Sequence, residues 1–174
     1  LYEKYGPSII NELEGMFSFV IYNFSQKKII AARDRFGIKP IYYYKNNEYI
    51  LFASEIKPII KYTKKKNFND LAFANFFLKQ QLDNDDLTFF ENIKAIPPAN
   101  LLNLSIDQPM KIKKYWDITL DHSKLANSQV TFQNLFDRSV NKHLISDCEV
   151  GLLFSGGTDS TALALNMAKN KKNS

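Results

Sequence analysis

Phe154-Ser155-Gly156-Gly157-Thr158-Asp159-Ser160-Thr161 lies between an apolar run, Val150 to Phe154, and a stretch from Thr161 to Lys169 with Ala162, Leu163, Leu165 and Met167 as its apolar contribution. The run reads as a buried parallel strand, and the stretch after it as a helix. The glycines therefore sit at a strand-to-helix turn. Without a Cβ, Gly156 and Gly157 let backbone N–H groups approach an anion, and the unpaired N–H groups and dipole of the helix start add positive potential there. Phosphate or pyrophosphate is the guest such a turn suits.

No Lys-Ser/Thr pair closes the turn and it has no G-x-G-x-x-G spacing, so it is neither a Walker A loop nor a dinucleotide turn. Other groups must meet the negative charge. Asp159 would repel bare phosphate, but it makes sense as a ligand of Mg²⁺, which takes one or two carboxylates together with phosphate oxygens. Ser155, Thr158 and Ser160 can donate hydroxyl hydrogen bonds to the remaining oxygens. The competing reading is an ordinary turn ending in a helix N-cap.

The string resembles the S-G-G-x-D-S pyrophosphate loop of the ATP pyrophosphatases, which split ATP between its α and β phosphates and adenylate an oxygen. The resemblance implies that Ser155, Gly156, Gly157, Asp159 and Ser160 hold pyrophosphate and its Mg²⁺, with Phe154 beside the nucleotide. Phe154 and Thr158 depart from the aliphatic residues usual at those positions.

Three upstream strings narrow the family: Glu14 to Tyr22 (EGMFSFVIY), Ala31 to Tyr43 (AARDRFGIKPIYY) and Phe52 to Lys57 (FASEIK). In this order they resemble the second half of a class II glutamine amidotransferase domain. Joined to the glycine loop, they resemble the glutamine-hydrolysing asparagine synthetase family across nearly the whole chain. The implied fold is α+β followed by α/β. It comprises the C-terminal half of an N-terminal-nucleophile αββα sandwich (residues 1–120), a linker (121–129), and the start of a parallel-sheet adenine-nucleotide α-hydrolase-like domain (130–174). The implied substrates are glutamine, aspartate and ATP, with Mg²⁺ as the metal. Glutamine would give glutamate and ammonia, ATP would adenylate the aspartate side chain, and ammonia would displace AMP. Asp34 matches the family position to which binding of the glutamine α-amino group is assigned.

The residues support this plan on their own terms. Phe17, Phe19 and Ile21 alternate with Ser18, Val20 and Tyr22 before an Asn23-Phe24-Ser25-Gln26 turn, and Lys28 to Arg33 returns as the partner strand. Pro40 to Tyr44 and Tyr49 to Ala53 flank Asn46-Asn47, residues that tolerate positive φ and suit a tight hairpin. Ser54 is placed to cap a short helix begun by Glu55. Between the hairpins, Arg33 and Arg35 flank Asp34, an arrangement that favours its ionised form. A structural Arg-Asp pair fixing the loop is the alternative to a ligand contact.

Class II amidotransferases use an N-terminal cysteine, and Leu1 is not one. The single cysteine, Cys148, is internal, has no free α-amino group, and reads as a buried structural thiol. No catalytic nucleophile is assigned within these residues. The nucleophile and the family's Arg and Asn-Gly-Glu segments are expected ahead of Leu1. With only Thr161 to Ser174 after the loop, the chain is expected to be an internal piece of a longer protein, inactive alone.

The 174 residues carry a net charge of +5, concentrated in Lys61 to Lys66 and Lys169 to Lys172. Such charge could attract nucleic acid, but no interleaved aromatic stripe accompanies the runs, so they are read as solvated helix or loop ends. One cysteine provides no disulfide framework and no apolar stretch reaches membrane-span length, so no membrane partner and a cytoplasmic location are expected. The resemblance leaves room for a homodimer.

Asp70 should cap a helix over Asp70 to Leu78, with Leu71, Phe73, Phe76 and Phe77 as core. Phe89 to Pro98 resembles the family's turn into its last glutaminase strand, with Ala99 where glycine is frequent. Leu101 to Leu104 and Lys111 to Trp116 pair around Asp107-Gln108-Pro109, while Phe132, Leu135, Phe136, Val140 and Leu144 mark an amphipathic helix. His122 and His143 have no metal-ligand spacing. The alternatives kept are a related two-domain amidotransferase with another carboxylate acceptor, a stand-alone tRNA-modifying ATP pyrophosphatase, and a non-catalytic binding or assembly module.

Overall fold

The computed structural model describes residues 2–80, 86–105, 108–119 and 128–171. Most of the expected linker (121–127), Asp107, His122 and Lys172 lie outside them. The chain divides into two compact units, Leu1–Ile118 and Thr119–Ser174.

The first unit opens with α1 (Tyr2–Tyr5) and a 3-10 turn (Gly6–Asn11) that buries Ile9 and Ile10. Two antiparallel sheets follow. One joins β1 (Ser18–Asn23), β2 (Lys28–Arg33), β6 (Asn100–Ser105) and β7 (Gln108–Lys114) in the order β1-β2-β6-β7. The other joins β4 (Ile50–Ala53), β3 (Tyr42–Lys45) and β5 (Ile93–Ala95) in the order β4-β3-β5.

Both expected hairpins form, because period-two alternation lets each strand bury one face and turn residues close the ends. In the first, Val20 pairs with Ala31 and Tyr22 with Ile29. Its turn is tied by the Asn23 side chain, which accepts from the Gln26 N–H at 3.0 Å. The second turn works differently from expectation. Neither Asn46 nor Asn47 has positive φ. Instead Asn46 Oδ1 accepts from the backbone N–H groups of Glu48 and Tyr49 at 2.9 and 2.8 Å, a side chain replacing a backbone acceptor.

Adjacent tyrosines on β3 divide the core. Tyr43 joins Ala31, Ile41, Ile96 and Leu102 between the sheets. Tyr44 joins Ile59 and Ile93, under α2 (Ile56–Thr63). The layers are therefore sheet, sheet, helix, with β3 central.

Burial pushes the Tyr43 phenol up to about 12, with the Asp86 carboxylate adding to the effect. Burial, and then the Asp34 carboxylate, push the Tyr115 phenol to about 12 against the opposing pull of Arg35. An ordinary phenol ionises near 10.0. Between about pH 10 and pH 12 the unfolded chain therefore releases protons that the folded chain keeps, and the stability held below pH 10 is lost as pH climbs through 12. A tyrosinate absorbance titration should show two phenols ionising late, together with unfolding, and Tyr43→Phe should remove one of them.

Helix starts differ from expectation. α2 begins at Ile56 with Glu55 as N-cap, and no side-chain cap bond is made there, so Ser54 is not the cap. α3 (Asp70–Lys79) is capped by Asn69, whose Oδ1 accepts from the Ala72 N–H at 3.2 Å, and Asp70 is its first residue. Its buried stripe is Ala72 and Asn75 rather than the large side chains. Phe73 stacks on Phe89 and Phe76 meets it edge to face, whereas Leu71 and Phe77 are exposed. At 100° per residue a single neighbour layer covers only one narrow stripe, and these two lie off it.

The second unit contains α4 (Ser128–His143) and α5 (Thr158–Lys171). Val150 to Phe154 is not a strand: the segment has no regular secondary structure and pairs with no strand among the described residues, with Leu153 at 96 % exposure and Phe154 at 62 %. An apolar run becomes a strand only where a neighbouring strand takes its hydrogen bonds. Cys148 is likewise exposed, not buried. Among the described residues no helix is long and apolar enough to cross a membrane.

Candidate functional site

In the first unit, the corner after β2 is built around one carboxylate. Asp34 is 1 % exposed. Its Oδ1 accepts from the N–H groups of Phe36 and Ile38 at 3.1 and 3.0 Å, and its Oδ2 from Lys39 and Phe17 at 2.9 and 3.3 Å. Its own N–H donates to Phe17 O at 2.9 Å, and its carbonyl accepts from Gly37 and Ala99 at 3.1 and 2.9 Å. One residue thus ties the entry to β1, the 34–39 corner and the turn ahead of β6.

Arg33 completes the knot. Its Nε, Nη1 and Nη2 donate to the carbonyls of Lys39, Ile96 and Gly37 at 3.2, 3.0 and 2.7 Å. Gly37, at φ +67°, lies so close that an added Cβ would be 2.7 Å from Pro98 Cγ. Ala99 takes φ +58° in the same knot, a left-handed conformation that glycine adopts more readily than alanine. Tyr115 Oη donates to Arg33 O at 2.8 Å, a link that periodicity alone could not have flagged. Arg35 lies over the Trp116 ring, 5.6 Å from its centroid.

Backbone N–H groups, not a cation, hold the Asp34 carboxylate in place. A carboxylate has about four lone-pair sites, and four backbone N–H groups donate to it here. The Arg-Asp pair is not made: the Arg33 guanidinium is spent on carbonyls.

In the second unit, Ser155, Gly156, Gly157, Asp159 and Ser160 come together in one turn at the start of α5. Gly156 takes φ +77°. Ser155 Oγ accepts from the Gly157 N–H at 3.4 Å and lies 3.1 Å from Ser160 Oγ, which donates to Gly157 O at 3.0 Å. The Thr161 N–H donates to Gly157 O at 3.0 Å, closing the first helical bond. The N–H groups of the first turn ahead of it are those a helix leaves without partners, and they face a hydroxyl-lined, exposed loop. Phe154 flanks the loop.

Asp159 stands in the first turn of α5, and among the described residues no group of three or more His, Cys, Asp or Glu side chains could hold a metal. One carboxylate with hydroxyls beside it suits a hard cation that takes most of its oxygens from phosphate and water.

The sequence matches the family model of the glutamine amidotransferase domain over residues 1–116 and that of asparagine synthase over 131–174. Asparagine synthetase [glutamine-hydrolyzing] 2 of Bacillus subtilis is 33% identical over 178 residues, covering 94% of this chain and 24% of its own length. Asparagine synthetase [glutamine-hydrolyzing] 3 of the same organism is 31% identical, covering 93% of this chain and 27% of its own length. Amidase chyE of Penicillium rubens is 30% identical, with 94% and 25% covered. The chain spans about a quarter of the length of these relatives.

Proposed function

The chain belongs to the glutamine amidotransferase domain family, and from that premise we propose that the protein it represents is an ATP-dependent, glutamine-using carbon–nitrogen ligase of asparagine synthetase type. The supporting observation is the presence in one chain of an amidotransferase unit and, after it, a Ser-Gly-Gly-Thr-Asp-Ser turn at a helix start.

In this reading residues 1–120 form the C-terminal part of an αββα amidotransferase sandwich, which the sheet-sheet-helix layering supports. Residues 121–129 link it to the opening of a parallel-sheet adenine-nucleotide domain, 130–174. Glutamine gives glutamate and ammonia in the first domain. In the second, ATP adenylates the β-carboxylate of aspartate, and ammonia then displaces AMP to leave asparagine.

The backbone of Gly156 and Gly157 and the hydroxyls of Ser155 and Ser160 hold the pyrophosphate, with Phe154 alongside the nucleotide. Asp159 would hold Mg²⁺, whose positive charge would offset the negative charge of pyrophosphate. The α5 dipole adds to the same field. Asp34, held in place by four backbone N–H groups, binds the α-amino group of glutamine. No catalytic role falls to Cys148. A second reading, a two-domain enzyme with another acceptor, is favoured by the relatives named as amidases.

Full-length protein incubated with glutamine, ATP, Mg²⁺ and aspartate is expected to form AMP and asparagine together. AMP without asparagine would move the proposal to another acceptor, and absence of both AMP and glutamate would overturn it.

A further inference from the structure

Buried side chains are sparse in the second unit. Among its described residues only Val140 of α4 and Asn166 of α5 are buried, at 6 % exposure each. Asn166 is the sole polar one. Its Nδ2 donates to Asp137 Oδ1 on α4, and the same oxygen accepts from Gln133 Nε2 at 2.8 Å. A hydrogen bond to an ionised acceptor is short and directional, whereas the apolar contact around it is non-directional. The polar link, more than the packing, sets how α5 lies on α4.

That orientation reaches the loop. Asn166 lies eight residues beyond Thr158, about 12 Å along the helix axis. Over that lever a tilt of about 5° moves the first turn by about 1 Å. A shift of about that size takes an N–H donor out of hydrogen-bond range of an anion seated at the loop.

We infer that Asp137 and Asn166 are positioning residues for the loop at Ser155 to Ser160, fixing the direction in which the α5 N-terminus presents its N–H groups. The inference rests on the proposed reading of that loop as the pyrophosphate grip. Both side chains act through the seating of α5 on α4. Their contribution is to uniform binding, so a weakened link raises KM more than it lowers kcat.

The test is a charge swap in the full-length protein, read as pyrophosphate release against ATP concentration at saturating Mg²⁺. Asn166→Asp sets two carboxylates against each other and should raise KM for ATP about tenfold, with kcat changed less. Asp137→Asn keeps a donor and an acceptor at the contact and should change KM little. The double variant Asp137→Asn with Asn166→Asp restores a carboxylate facing an amide and should return KM towards its starting value. Rescue of this kind is not expected of a residue that only fills space. An unchanged KM in Asn166→Asp would overturn the inference, as would failure of the double variant to recover. Asp159→Ala in parallel separates the two levels: if it leaves pyrophosphate release intact, the reading of the loop itself fails.

Discussion

Asp34→Ala is expected to destabilise the first unit by about 4 kcal/mol or more, a large fraction of the stability of an ordinary domain. The estimate follows from the donors left behind. Phe17, Phe36, Ile38 and Lys39 each direct a backbone N–H at the carboxylate, and each orphaned donor costs at least about 1 kcal/mol. The methyl group of alanine can satisfy none of them. Asp34→Asn keeps the shape but replaces one acceptor oxygen with a donor aimed at other donors, so about half the loss is expected. If Asp34 also binds glutamine, as proposed, Asp34→Asn should in addition raise KM for glutamine. Denaturant unfolding beside glutaminase kinetics reads both effects. An unchanged unfolding midpoint in Asp34→Ala would refute the structural role.

The corner at Asp34 shows what a sequence can carry. Arg33-Asp34-Arg35 invites charge pairing, because adjacent opposite charges are visible in one dimension. The four N–H groups that Asp34 serves come from its own corner and from Phe17, and only the folded backbone aims them at one point. The two hairpins were legible for the opposite reason: strand alternation and turn residues are local, and the register Tyr43↔Phe52 follows once the turn is placed. The segment at Val150 to Phe154 marks the limit between these cases. Its apolar run matches a buried strand, yet strand formation belongs to a pair of segments, and the described residues offer it no partner. Phe77 fell on the wrong side for a related reason, since hydrophobicity at helical spacing says which stripe can be buried but not how wide the covering layer is. The glycine loop was legible as a cluster because its members are consecutive. The Asp137 to Asn166 link was not, because it spans two helices and 29 positions.

Asp159→Ala should separate chemistry from stability as sharply as Asp34→Ala joins them. The Asp159 side chain is exposed, and no hydrogen bond or ion pair to it occurs among the described residues, so its loss removes little that holds the fold. Its favourable place in the first turn of α5 is worth about 0.5 kcal/mol through the helix dipole, and the melting temperature should barely move. Its proposed task is a different matter. If the carboxylate holds the Mg²⁺ that offsets the charge of pyrophosphate, its removal takes away electrostatic stabilisation at the point where the α to β bond of ATP breaks. A fall of roughly 1,000-fold in Mg²⁺-dependent pyrophosphate release is expected. Glutamine hydrolysis in the same preparation supplies the control, because that chemistry belongs to the other unit in the proposed scheme. Loss of pyrophosphate release with glutaminase activity and melting temperature retained would place the metal role at Asp159. Unchanged release would return the loop to an ordinary capped turn, and with it the argument that this chain carries the nucleotide end of a ligase.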